Sequence, residues 1–218
     1  MLLVIDTSGP LCSAALFDIE AETLAGEMSE DLGRGHAERL MPMLEELLAD
    51  ADLQWQDITR LGVVNGPGSF TGLRVGLATA RGLALALTQP CNTLSVFEAF
   101  DEQFGNTGVL GVVIDARRDQ IWMQCFENNV AITAPQAATV GDIADVLPDT
   151  VVNLVGSAAA EVAKRLDHSV TVLSEAASPS IAAAARRIAS QPVANKKPKA
   201  LYLRAPDAKP QTPLRGKA

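Results

Sequence analysis

A chain of 218 residues that is 48% hydrophobic can bury a sizeable core, as one large domain or two small ones. Its formal charge of −8 argues against a broad nucleic-acid face; Cys12, Cys91 and Cys125, odd in number and without CxxC spacing, argue against disulfide and zinc frameworks and for reduced core thiols in a cytoplasmic protein. No apolar run approaches the roughly 20 residues that cross a bilayer, so neither secretion nor a membrane span is expected.

Leu2 to Asp6 reads as a buried strand ending in a carboxylate, Thr7-Ser8-Gly9-Pro10 turn the chain, and Cys12 to Phe17 returns as a second strand. Thr23 to Ser29 adds a third. A helix is expected from about Gly35 to Ala51, with Leu40, Met43, Leu44, Leu47 and Leu48 as its apolar stripe and Glu38, Glu45, Glu46 and Asp50 on the solvated side. His36 has Leu40 where a second helical metal ligand would stand four residues on, so no metal site is expected.

The stretch Asn65 to Leu87 follows the apolar strand Leu61–Val64 with a turn, Gly66-Pro67-Gly68-Ser69, and a long apolar helix from near Thr71. Two readings of the turn stand side by side: an anion cradle of free N–H groups over Gly66 to Gly72, or a plain strand-to-helix connection with Ser69 or Thr71 as N-cap. A P-loop is rejected, because Gly66 and Gly72 are five residues apart and Leu73-Arg74 replace the required Lys and Ser or Thr. Gly72, Gly76 and Ala80 make a narrow face on which another helix could lie.

Cys91 to Ser95 and Val96 to Phe104 supply a strand and a helix that close a first lobe near residue 107. There Val113-Ile114-Asp115-Ala116 repeats Val4-Ile5-Asp6-Thr7, and Phe126-Glu127 falls in register with Phe17-Asp18. A strand–Asp–turn–strand unit written twice predicts two similar αβ lobes, 1–107 and 108–190. Asp6 and Asp115 then either face a shared cleft, where carboxylates could hold a metal–nucleotide, or simply cap their turns. The second lobe continues with a hairpin around Arg117-Arg118-Asp119, Trp122 against the lobe interface, a helix over 140–147 and a strand over 151–155. Gly156-Ser157-Ala158 open a helix over 159–166; a strand over 170–173 and a helix from Ser178-Pro179 to Ala189 follow.

Charge is segregated. Residues 191–218 carry seven basic residues against the single acid Asp207, a balance of +6 that leaves −14 on residues 1–190. Such a Pro- and Lys-rich end reads as a solvated tail, with docking onto nucleic acid or an acidic surface as the other meaning.

Ile5-Asp6-Thr7-Ser8, His36-Ala37-Glu38-Arg39-Leu40, Asn65 to Arg74 (NGPGSFTGLR), Ile114-Asp115-Ala116-Arg117 and Tyr202-Leu203-Arg204 together resemble the bacterial tRNA threonylcarbamoyladenosine biosynthesis family TsaB, also called YeaZ. The resemblance covers nearly the full length, and the glycine-loop decapeptide is its most specific part. It implies an α/β, actin-like fold of two duplicated lobes, of the acetate kinase, sugar kinase and Hsp70 class. It also implies a non-catalytic subunit without cofactor or metal that partners the paralogous transferase TsaD and the ATPase TsaE, forms a homodimer when alone, and meets tRNA through the complex. Relatives use a helical face of the first lobe for self-association or for the catalytic partner, which makes Leu40, Met41, Leu44, Leu73, Arg74, Leu77 and Arg81 the candidate interface. Asp6, Thr7, Ser8, Asp115 and Gly156 would form a vestigial nucleotide cleft. The rival is an active phosphotransferase of the same fold using Asp6 and Asp115; a protease is unsupported, for no HExxH, G-x-S-x-G or Cys–His pattern is present.

Overall fold

The structure is a computed structural model that describes residues 1–105, 108–194 and 196–203. The continuous apolar run at the N-terminus becomes β1 (Leu2–Asp6), every residue of it buried, because the strand lies in the middle of a five-stranded sheet. β2 (Leu11–Asp18) and β3 (Thr23–Asp31) add to one side antiparallel; β4 (Arg60–Val64) and β5 (Cys91–Leu94) add to the other side in parallel, giving the order β3-β2-β1-β4-β5. α1 (His36–Asp50) connects β3 to β4, α2 (Phe70–Leu87) connects β4 to β5, and α3 (Val96–Phe104) follows β5.

The second half repeats this plan strand for strand. β6 (Leu110–Asp115) pairs antiparallel with β7 (Gln120–Glu127), and β7 in turn pairs with the short β8 (Val130–Ala131) and β9 (Gln136–Thr139). On the other side of β6 lie β10 (Asn153–Val155) and β11 (Thr171–Ser174), both parallel to their neighbours, so the order β11-β10-β6-β7-β8 reproduces that of the first sheet. α4 (Ile143–Val146), α5 (Ala159–Ala163) and α6 (Ile181–Ser190) stand where α1, α2 and α3 stand in the first half.

Alternation along the strands sorts the core into three layers. Leu3, Ile5, Ala14, Leu16 and Val63 face α1 and α2, whereas Val113, Met123 and Leu154 face α4 and α5. Between the sheets, Leu2, Val4, Phe17, Leu110, Val112 and Phe126 enclose α3 and α6. The last helices are exchanged: α6 lies across β1, β2 and β5 of the first sheet, and α3 rests on β6 and β7 of the second. Gly62 makes the room that Ile188 of α6 occupies, since a Cβ there would stand 2.7 Å from its Cδ1. The final helix of the second repeat thus packs in the core of the first sheet.

Two local readings are also corrected. The 140–147 helix shrinks to the single turn of α4, and β9, a half-exposed edge strand, precedes it. Residues 191–194 and 196–203 are no free tail. Buried Arg60 donates to the carbonyls of Ala189 and Gln191 and to Asn92 Oδ1, fixing the end of α6, and Asn92 Nδ2 donates to Gln191 Oε1 and Pro192 O, both at 2.9 Å. Beyond that, Asn65 Nδ2 donates to Lys199 O, Leu201 N donates to Asn65 O, and Arg81 donates to Pro198 O. The basic residues from Arg204 onward lie outside the described residues.

Candidate partner face and hairpin tips

Both hairpin turns use the same device. Asp6 Oδ1 accepts the Ser8 N–H at 2.8 Å and Asp115 Oδ1 accepts the Arg117 N–H at 2.7 Å, the Asx geometry that lets a strand-end carboxylate hold its own turn. Their environments differ. Asp6 is buried, and burial raises its carboxyl above the ordinary range against the opposing pull of the Ser8 hydroxyl and N–H and of His36. Asp115 is exposed; its own N–H is held by Ser157 Oγ at 3.0 Å, which brings the Gly156-Ser157 turn onto the end of β6. A Cβ on Gly156, whose φ is +105°, would collide with the Val113 carbonyl oxygen. Three successive residues of the second turn, Arg117, Arg118 and Asp119, have left-handed backbone with φ between 54° and 60°.

The glycine loop is filled by the first hairpin tip. Ser69 caps α2 by accepting the Gly72 N–H at 3.3 Å, as the plain-connection reading expected, and donates its own N–H to Ser8 O at 2.8 Å. Thr7 Oγ1 donates to Gly72 O at 2.7 Å. A Cβ on Gly68 would strike the Ser8 carbonyl and one on Gly72 the Thr7 carbonyl. The glycines thus serve close approach of two backbones, and the loop's depth is taken by Thr7-Ser8. Gly76 likewise faces Thr7, so the small-residue stripe of α2 seats the hairpin tip and not a second helix. His36 is buried with Nε2 3.3 Å from Leu11 O.

Of the candidate interface positions, Leu40, Leu44, Leu73 and Leu77 are each at most 3% exposed and are corrected: Leu40, Leu44 and Leu77 belong to the stripe that α1 and α2 bury on the first sheet, and Leu73 packs against Gly66 of the glycine loop. Met41, Arg74 and Arg81 are exposed, Arg74 lying 3.8 Å over the Phe70 ring. Two positions that helical periodicity alone would have flagged complete the outer surface of α2. Phe70 is 52% exposed and Leu85 is 83% exposed. By length and composition α2 would pass as a membrane span, yet Gly72, Leu73, Gly76, Leu77 and Ala80 pack it onto the sheet. Two cavities of about 310 Å³ each lie away from the hairpin tips, one lined by Asn65, Ser95, Glu98 and Gln124, the other by Asn92, Gln191, Lys196 and Lys197.

Comparison with known proteins agrees with the fold and adds the family. The profile of the family described as "TsaD: tRNA N6-adenosine threonylcarbamoyltransferase" matches residues 21–211. The tRNA threonylcarbamoyladenosine biosynthesis protein TsaB of Bacillus subtilis is 33% identical over 127 residues, which is 58% of this chain and 55% of that protein, little more than half its length. An uncharacterised protein of Mycobacterium bovis is 32% identical over 96% of this chain and 94% of its own. Among solved structures, YeaZ from Pseudomonas aeruginosa superposes with a TM-score of 0.73 at 23% identity, covering 86% of this chain and 89% of that one, a likeness of fold. With an actin-like pair of duplicated lobes, the glycine-loop decapeptide seated on its hairpin tip, and these relatives in sequence and in structure, the chain belongs to the TsaB/YeaZ family, related to TsaD.

Proposed function

We propose that the protein works in tRNA threonylcarbamoyladenosine biosynthesis as a non-catalytic subunit, binding and activating a TsaD-type transferase through the outer faces of α1 and α2, with a TsaE-type ATPase joining the assembly. The relatives' names support the pathway. The observation that carries the non-catalytic role is the glycine loop: Ser8 O takes the Ser69 N–H, Thr7 Oγ1 donates to Gly72 O, and the Ser8 and Thr7 carbonyls stand where a Cβ on Gly68 or Gly72 would be, so the chain's own hairpin tip packs the loop that an anion cradle would need open. Asp6 is committed to Ser8 in the same way.

The partner face is read from exposure. Leu85 and Met41 are large exposed apolar side chains on neighbouring helices, and Arg74 and Arg81 are exposed on α2, a mixture of aliphatic anchors and arginines that suits an interface. Homodimerisation of the free chain would use the same surface. The test is tRNA modification reconstituted from purified components with and without this protein, run with pairwise binding to the transferase. Activity that requires the protein, with Met41→Glu and Leu85→Glu folding normally but losing at least about tenfold in partner affinity, is the expected outcome. ATP turnover by the isolated chain that disappears in Asp6→Asn would instead establish the phosphotransferase.

A further inference from the structure

α2 contains no acidic residue, and neither does the segment 191–203 that runs beside it. On a protein of net charge −8 this is a segregated cationic flank, formed by Arg74 and Arg81 of the helix and by Lys196, Lys197 and Lys199 of the strap, all exposed. The strap is pinned along the helix. It starts where Arg81 holds the Pro198 carbonyl and ends where the Tyr202 ring meets the Phe70 ring, centroids 5.8 Å apart and planes tilted by 39°. The eleven helical steps from Phe70 to Arg81 span about 16 Å, close to the reach of the four extended steps from Pro198 to Tyr202, about 14 Å. Between these ends, Asn65 ties down Lys199 O and the Leu201 N–H.

We propose that this flank binds single-stranded RNA, with phosphates along Lys196, Lys197, Lys199, Arg74 and Arg81 and a base stacked on Tyr202. Tyr202 is 50% exposed and meets the Phe70 ring at a tilt, with the Arg74 guanidinium over Phe70, so an exposed aromatic face and a cation of the kind that a base and its phosphate engage stand together. Charge alone would also suit an acidic peptide; the exposed aromatic pair at one end of the cationic track selects a polyanion with π faces. Because the backbone from Pro198 to Leu201 is hydrogen-bonded in place, Lys199 is presented from a fixed position and needs little further ordering on binding. Arg74 and Arg81 are shared with the proposed partner face, so RNA and partner would compete for them, and the lysines with Tyr202 are the part of the track that distinguishes the two readings.

The experiment is fluorescence anisotropy of a labelled 15-nucleotide single-stranded RNA with the full chain, titrated at 50 to 200 mM salt. The Lys196→Glu/Lys197→Glu/Lys199→Glu variant is expected to bind at least about tenfold more weakly with a log–log salt slope shallower by about 2, three lost phosphate contacts at roughly 0.7 each. Tyr202→Ala is expected to lose about five- to hundredfold with the slope unchanged, because stacking releases no counterions. Equal binding by wild type and the lysine variant, a silent Tyr202→Ala, or binding to phosphatidylserine vesicles without binding to RNA would each overturn the proposal. Met41→Glu, which tests the partner face, should leave this assay unchanged, so the two readings fail separately.

Discussion

Gly72 and Gly82 lie on one helix and predict opposite responses to the same methyl group. At Gly72 a Cβ meets the Thr7 carbonyl, backbone against backbone, and Gly72→Ala is expected to destabilise the protein by about 1–3 kcal/mol. At Gly82 nothing stands within 4 Å, and Gly82→Ala should stabilise by about 0.5–1 kcal/mol through helix propensity. Urea unfolding of the two variants reads both. Asp101 gives a pH-dependent case. It is fully buried in α3, neither carboxylate oxygen has a hydrogen-bond partner among the described residues, and burial pushes its pKa up to about 6 despite the attraction of Arg187. Between about pH 4 and 6 the folded state therefore holds a proton that the unfolded state has lost, and stability falls as pH rises through that window. Asp101→Asn should raise Tm at pH 7.5, by up to about 3 kcal/mol in stability, and match wild type near pH 4.

At the level of elements, the strands and helices with strong periodicity were legible. The run Leu2 to Asp6 formed β1, and α3 begins and ends at Val96 and Phe104 as its pattern indicated. Gln136 to Thr139 escaped notice because an edge strand rich in alanine shows neither an apolar run nor clean alternation. The candidate interface was partly misjudged for a physical reason: a leucine stripe marks the buried side of an amphipathic helix, so Leu40, Leu44 and Leu77 report the sheet beneath α1 and α2 and Leu73 the glycine loop, and the outer face has to be read from exposed Met41, Phe70 and Leu85. The strap was not visible in composition, since a Lys- and Pro-rich segment looks the same whether solvated or held through its backbone, as here by Asn65, Arg81 and Asn92. Arg60 is the matching anchor at the end of α6. Arg60→Met keeps the volume but leaves the carbonyls of Ala189 and Gln191 and the Asn92 side chain without their donor, and a loss of about 2 kcal/mol or more is expected in urea unfolding.

For the whole molecule, the repeated Val-Ile-Asp hairpin announced the duplication, and the structure extends it to five strands' worth of identical order and to three helices on each side. What the repeat did not reveal is the exchange of α3 and α6, because a helix pattern records that one face is buried and not which sheet covers it. With one core layer common to both sheets, thermal unfolding should be a single transition, and a fragment ending at residue 107 should lack cooperative unfolding and bind a hydrophobic dye. The exchange also bears on how the chain is made. During vectorial synthesis the inner face of the first sheet, Leu2, Val4 and Phe17, lacks the α6 part of its cover until that helix has been translated, some eighty residues after the first half is complete. At about 5–20 residues per second that face waits on the order of ten seconds, a nascent apolar surface that chaperones would be positioned to shield.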